Sequence, residues 1–257
     1  MEPKVSLVRI TENPISTMCW ARRVMHSPVP NTIQELEQDP EKWLGMDMDT
    51  YVSEILLKDK MPTFLEYVSL VFKFENVSRA LQQQLTRHRI GFSFSIQSLR
   101  CVDLPNFADN GNYTNPNNTM AYYNSMLAIQ DIYRAAIDSG VNTQDARGLL
   151  PMNIHSTVTF SCNLRSLAGM LNKRLCLKTQ DEFRSVAMQI YEMIKDIDSR
   201  LIKWFGAPCD LHNYCMMQGE NEQQFKDGRL TGKQNTDHCC PKYIKKFKGG
   251  KNGKENK

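Results

Sequence analysis

No apolar run in the 257 residues approaches the roughly 20 that a membrane-spanning helix requires. The first residues, MEPKVSLVRITENP, lack the apolar core of a secretory leader. A cytoplasmic protein without a membrane partner is the expectation, and on it the Asn-x-Ser/Thr triplets at Asn76, Asn112 and Asn117 are chance matches. No Gly-x-Gly-x-x-Gly fingerprint is present, which excludes a Rossmann-type phosphate turn. The Gly-Gly-Lys-Asn-Gly-Lys stretch at 249–254 has neither the pattern nor the setting of a P-loop. There is no internal repeat. Large charge of one sign is also missing: the net charge is +4, and seven lysines against one glutamate from Lys242 onward account for more than all of it. The body is nearly neutral, so nucleic acid is not an expected partner, and the basic tail reads as a solvated end.

What the chain does contain is a globular composition, with 41% apolar and 23% charged residues, and enough length for a large core. Eight cysteines in a cytoplasmic setting read as free thiols or metal ligands, since disulfides do not persist there. Cys209, His212, Cys215, His238, Cys239 and Cys240 have the donor types for zinc, but neither the gap between Cys209 and Cys215 nor the adjacent pair is a standard finger spacing. Plain thiols are the reading, with zinc as the alternative, and no metal site is assigned. Pro208-Cys209 has no surroundings that would make it a nucleophile.

Patterning gives an α+β chain, without the strand–helix alternation of a doubly wound sheet. A strand is expected near Val5–Ile10, then short helices around Ile33–Gln38 and Met48–Leu57. Val68, Leu70, Phe72 and Phe74 alternate with polar residues, which predicts a strand with one buried face. Asn76 is placed to cap a helix whose apolar face is Val77, Ala80, Leu81 and Leu85. Residues 103–119 read as a loop. A helix over about 119–139 follows, with Met126, Ile129, Ile132, Tyr133 and Ala136 on one side and Gly140 as its stop. Ser156–Cys162 is a short strand or the lead into a helix carrying Leu164, Leu167, Ala168 and Leu171. Thr179 and Glu182 have capping-box spacing ahead of a long helix with Phe183, Val186, Ala187, Ile190, Met193, Ile194, Ile197 and Leu201 inward. The expected division is one catalytic domain over 1–205, then an irregular cysteine-containing segment and basic tail over 206–257.

The segment Gln84-Leu-Thr-Arg-His-Arg-Ile-Gly-Phe-Ser-Phe-Ser-Ile-Gln-Ser-Leu-Arg100 groups Arg87, His88, Arg89 and Arg100 with hydroxyls at Ser93, Ser95 and Ser98. Guanidinium forks match phosphate oxygens bidentately, so such a cluster suits a phosphate or pyrophosphate; a basic helix end has the same composition. This segment resembles the signature of the flavin-dependent thymidylate synthases, in which Arg-His-Arg precedes a Ser-x-Arg, here Ser98-Leu-Arg100. Further blocks follow in the family's order. Arg147-Gly-Leu-Leu-Pro-Met-Asn153 is similar to its Arg-x-x-Leu-Pro-x-Asn, and Asn163-Leu-Arg-Ser-Leu167 to its Asn-Ala-Arg-Ser-Leu. Arg174 falls on a substrate arginine, and Gln180-Asp-Glu-Phe-Arg184 resembles Gln-x-Glu-Ile-Arg. Thr63-Phe-Leu-Glu66 looks like the segment that touches flavin.

The sequence also departs from the pattern. The spacer between Arg89 and Ser98 holds eight residues, one more than the family's, with the extra one among Ile90, Gly91 and Phe92. Ile96, Cys101, Met61, Tyr67 and Gly169 replace a Glu, a Tyr, two His and an Asn or His. These changes describe a divergent branch, with a viral source as one reading and the host cytoplasm then its compartment.

The resemblance implies the α+β fold of that family, with a mixed or antiparallel sheet flanked by helices and a long C-terminal helix. It implies reductive methylation of dUMP using FAD, NADPH and methylene-tetrahydrofolate, in a homotetramer whose sites are shared between subunits. It places FAD against Thr63, Glu66, Arg87, His88, Arg89, Asn163 and Arg165, and dUMP against Gln84, Ser98, Arg100, Arg147 and Arg174. Arg174 is the expected catalytic residue, because a fixed cation beside the uracil stabilises the charge that makes C5 nucleophilic. Two other readings fit the same residues: a pyrimidine nucleotide hydroxymethylase of this fold, and a non-catalytic member that binds nucleic acid.

Overall fold

In the computed structural model, which describes residues 2–26, 28–102, 104, 106–110, 119–211, 225–226 and 229–230, the first strand is β1 (Lys4–Ile10). Helix α1 (Pro14–Val24) follows, with Pro14 at its first turn, where no amide hydrogen is needed. Sequence patterning had not set this helix apart; Ile15, Met18, Cys19 and Ala21 bury its inner face. Three short helices come next, α2 (Ile33–Gln38), α3 (Pro40–Leu44) and α4 (Met48–Tyr51). Each is capped by a side chain, with Thr32, Asp39 and Asp47 accepting from the amides of Glu35, Lys42 and Thr50. The helix expected over 48–57 continues past Tyr51 as a π-turn, Val52–Leu56.

After a 3-10 turn at Thr63–Tyr67, β2 (Ser69–Ser78) runs into α5 (Arg79–Leu85). The expected cap at Asn76 is not there. Asn76 sits at φ 57 in a bulge between Phe74 and Val77, Val77 belongs to the strand, and the Ser78 hydroxyl accepts from the Leu81 amide at 3.0 Å. A left-handed Asn suits a bulge, and Ser is as good a cap as Asn.

Next come β3 (Phe92–Ile96), α6 (Thr119–Asp138), α7 (Thr143–Ala146) and β4 (His155–Asn163), which the sequence left between strand and helix lead. Then follow α8 (Leu164–Arg174), α9 (Asp181–Ile197) and α10 (Pro208–Leu211). Two two-residue strands, β5 (Phe225–Lys226) and β6 (Arg229–Leu230), form a separate ribbon. Phe205 and Ala207 are buried, so packing continues past residue 205.

The main sheet is antiparallel in the order β1-β2-β4-β3. Side chains alternate across it. Phe72 faces Phe160, and Phe94 faces Phe160 from the other side, giving ring centroids 5.5 and 5.9 Å apart. This face carries the main core, closed by the buried residues of α8 and α9. The opposite face is polar, with Lys73, Thr159 and Ser95 in one row and Ser161 and Ser93 in the next. Strand β3 was not set apart in the sequence, although Phe92, Phe94 and Ile96 alternate with Ser93 and Ser95, because those serines were read with the arginine cluster as anion ligands.

A second, smaller core gathers Met126 and Tyr133 of α6 with Leu99, Phe107, Ala146 and Ile154. Ile132 does not join it and is 58% exposed; Gln130 takes the inward place and accepts from the Ala108 amide at 2.9 Å. Gly140, at φ 90, ends α6 as expected, with its amide on the Ile137 carbonyl.

The expected capping box ahead of α9 is absent. Gln180 occupies the cap without a side-chain bond, Thr179 donates to the Lys173 carbonyl, and Glu182 turns to Ser78. Leu201 follows α9 in a separate 3-10 turn, and Ile197 is exposed. Among the described residues, no helix is long and apolar enough to cross a membrane.

Candidate functional site

Helix α8 builds the centre of the site. Leu164, Leu167, Ala168, Met170 and Leu171 bury one side of it, and Arg174, seven residues after Leu167, leaves the helix end on that same side. The guanidinium carbon lies 4.5 Å from the centroid of the Phe183 ring, which α9 contributes from its first turn. Nε and Nη2 of Arg174 lie 3.4 and 3.3 Å from Nε2 of His88. A guanidinium only donates, so Nε2 accepts and the imidazole proton sits on Nδ1. His88 is therefore neutral, and burial, the Arg174 charge and Lys173, in that order, push its pKa down to about 4. The His88 ring also lies perpendicular to that of Phe183, with centroids 6.3 Å apart, and 5.9 Å from that of Phe92.

Arg174 has no ion pair with any described carboxylate. Burial, and then the neighbouring Arg87 guanidinium, lower its pKa, but from a value so high that it stays charged. Two guanidiniums, a neutral imidazole and an apolar floor leave an uncompensated positive field at one point. Such a point attracts an anion, or negative charge that develops on a bound ring.

Helix α5 leads into this cluster. Gln84 donates to the Gln180 side chain, and the chain then turns through Arg87, His88 and Arg89 into β3. Arg87 and Arg89 are exposed and make no ion pair among the described residues. Gly91, at φ 73, makes the turn. A Cβ there would stand 2.1 Å from Oγ of Ser166 and 3.1 Å from Nδ2 of Asn163. The Arg-His-Arg turn thus packs on the start of α8, where Asn163 caps the helix by accepting from the Ser166 amide at 2.8 Å. Arg165 extends from that first turn and pairs with Glu66 at 2.5 Å, next to Thr63 at the start of the 3-10 turn. A helix N-terminus with a guanidinium extending from its first turn suits an anion, and the Arg-His-Arg turn runs from there towards Arg174 at the helix's other end. Ile90, in this turn, is 90% exposed, and β3 pairs with β4 in register from Phe92 onward.

Ser98 and Arg147 line a cavity of about 800 Å³, together with Arg79, Gln83 and Gln97. Gln84 and Arg174 are not among its lining residues. Of the sequence-predicted nucleotide residues, Ser98 and Arg147 thus share this cavity, while Arg174 stands with His88 and Phe183, and Gln84 with Gln180. Arg100 is exposed, with its amide 3.3 Å from Oγ of Ser98. Ser93 and Ser95 alternate with Phe92 and Phe94 and lie on the polar face of β3, so they do not join the arginines.

Sequence patterning missed three residues here. Arg79 and Gln83, four apart on α5, share the face that lines the cavity, a spacing visible in the sequence. Phe183 was assigned only to the core, and nothing in its spacing shows that its ring lies under Arg174. Cys19 and Cys162 are buried, which raises each thiol to about 12 and leaves them unreactive. Of the six Cys and His residues weighed for zinc, five lie outside the described residues; Cys209 is in α10.

The family model described as "Thymidylate synthase complementing protein" matches residues 6–198. The flavin-dependent thymidylate synthase of Pyrococcus furiosus is 30% identical over 223 residues, which span 82% of this chain and 88% of that protein. That of Geobacter sulfurreducens is 29% identical over 211 residues, 80% of this chain and 88% of that protein. The crystal structure of thymidylate synthase X from Helicobacter pylori with FAD and dUMP resembles this fold with a TM-score of 0.58 at 19% identity. The match covers 77% of this chain and 99% of that one.

Proposed function

Because the chain belongs to the thymidylate synthase complementing protein family, that of the flavin-dependent thymidylate synthases, we propose that it converts dUMP to dTMP by flavin-dependent reductive methylation. Methylene-tetrahydrofolate is the carbon donor and NADPH the reductant in this reading, and the cytoplasm, or a host's cytoplasm, is the compartment. The observation that carries it is Arg174, charged, resting on Phe183 against a neutral His88, and without a described carboxylate. Its remaining donors are free to meet the O4 carbonyl of a uracil. Negative charge building there raises the electron density at C5, and a preorganised cation in a site with little water stabilises that charge.

The donor set fits FAD. Arg87, Arg89 and Arg165 supply guanidiniums, Asn163 shapes the start of α8, and Thr63, Glu66 and His88 border them. Bound FAD supplies the redox equivalents of the reaction. Gln84, Ser98, Arg100 and Arg147 bind the phosphate, sugar and base edge of dUMP. Ser98 and Arg147 lie in a cavity that Gln84 and Arg174 do not line. That separation favours a site completed between subunits of a homotetramer.

The test is turnover. Purified protein supplied with FAD, dUMP, methylene-tetrahydrofolate and NADPH is expected to form dTMP, identified by mass. A hydroxymethylated product, or folded protein that takes up no flavin at saturating FAD, overturns this reading. A stable, active monomer by light scattering overturns the tetramer alone.

A further inference from the structure

We propose that Phe183 is the positioning residue for Arg174: its ring face, rather than a carboxylate, fixes the guanidinium that meets the nucleotide. This rests on the functional reading above and extends it by giving Phe183, there only the surface beneath Arg174, a role of its own.

The geometry has three parts. The Arg174 guanidinium carbon stands 4.5 Å from the Phe183 centroid, within the range where the negative face of an aromatic ring attracts a cation. Phe183 is fully buried, so the ring cannot swing away. The same ring makes a T-shaped pair with His88, at 89° and 6.3 Å between centroids, and His88 in turn accepts from Arg174. The three side chains lock one another, and they come from α8, α9 and the turn after α5.

The choice of anchor matters chemically. A carboxylate would hold an arginine by occupying its N–H fork and cancelling its charge, and an arriving phosphate or uracil oxygen would have to displace it. A ring face contacts the π surface of the guanidinium and leaves the in-plane donors unoccupied. His88 takes two of the donors but, being neutral, removes none of the charge.

Two substitutions and their combination test the proposal. Phe183→Leu keeps an apolar side chain in the core and removes the ring face; Phe183→Met is the alternative if the leucine variant does not fold. In FAD-loaded protein, the Kd for dUMP by calorimetry and kcat/KM are expected to worsen about 3- to 30-fold, the range of a desolvated cation–π contact. FAD occupancy, read from the flavin absorbance, is expected to stay at the wild-type level. Arg174→Ala with Phe183→Leu is then expected to bind dUMP no more weakly than Arg174→Ala alone, since the ring has nothing left to position. Folded Phe183→Leu and Phe183→Met proteins with dUMP affinity within twofold of wild type overturn the proposal. So does a double variant in which the two losses multiply, because a purely structural role gives that result. If Arg174→Ala itself leaves dUMP binding and turnover intact, the functional reading fails first, and this inference with it.

Discussion

The backbone amide of Ser78 donates to the Glu182 carboxylate at 2.6 Å, and its hydroxyl donates to the other oxygen of the same group, joining residues 104 apart in sequence. Ser78 is also the cap of α5, accepting from the Leu81 amide, so one buried carboxylate ties the start of α5 to the first turn of α9. Gln84 and Gln180 make a second tie between the same elements. The helix that delivers Arg87 and His88 is thereby registered against the helix that delivers Phe183.

Removing that carboxylate is expected to be costly. Glu182→Ala leaves an amide and a hydroxyl buried without their acceptor, and each such group costs about 1–3 kcal/mol. Urea unfolding of Glu182→Ala should show a loss of about 2–6 kcal/mol for the two groups together, and Glu182→Gln, which keeps one acceptor, a smaller one. An alanine variant as stable as wild type contradicts the clasp.

Arg174 and Arg165 are expected to separate two functions. Arg174→Ala should lower dUMP turnover about 10²–10³-fold, the usual cost of losing one preorganised donor, while FAD remains bound. Arg165→Ala should weaken FAD binding while changing stability by less than about 1 kcal/mol, because its pair with Glu66 is half exposed. Flavin titrations beside steady-state assays decide the matter; near-normal turnover by the Arg174 variant leaves that residue as a helix-end charge only.

Stability should fall with acid through His88. Its folded pKa is about 4, below the 6.5 of an open chain. Between those values the unfolded state binds the proton that the folded state refuses, so the stability contributed by neutral His88 is complete above pH 6.5 and is lost progressively towards pH 4. His155, buried and also pushed down to about 4, adds a loss over the same window. Unfolding free energies at pH 7 and pH 5 should differ less in His88→Gln than in wild type. Equal differences in the two proteins would show that His88 does not titrate in this way.

Two glycines should respond to alanine with opposite signs. At Gly91 the positive φ and the 2.1 Å approach of a Cβ to Oγ of Ser166 both oppose a side chain. Gly91→Ala is expected to destabilise by about 1–3 kcal/mol, combining left-handed strain with displacement of the Arg-His-Arg turn. Gly169 lies inside α8 with nothing within 4 Å of its virtual Cβ, and Gly169→Ala is expected to stabilise by about 0.5–1 kcal/mol. Denaturant midpoints of the two variants on either side of wild type are the check.

The sequence by itself determined the elements whose periodicity local sterics enforce and the residue types that bind anions. The alternation through Leu70, Phe72 and Phe74 makes a strand because successive side chains must point to opposite faces. The spacing of Leu164, Leu167 and Leu171 likewise makes a helix that ends with Arg174 on its buried side. Arg87, His88, Arg89 and Arg100 were legible as an anion-binding cluster because their chemistry does not depend on the fold, while Arg165 and Arg174 joined them only through the resemblance to the family.

Tertiary structure decided the partners. Glu182 had the spacing of a helix cap, yet Ser78 claims it, because a buried amide and hydroxyl have a stronger need for an acceptor than a solvated helix end. Asn76 looked like a cap and became a bulge. Ser93 and Ser95 looked like phosphate ligands, and the pleat of β3 turned them to the far face once Phe92 and Phe94 were buried. Phe183 under Arg174, and Ser98 with Arg147 in a cavity apart from them, are contacts between elements distant in sequence. Only the packing of the sheet against α8 and α9 sets those distances, because a short-range pattern fixes which way a side chain points and not what it meets.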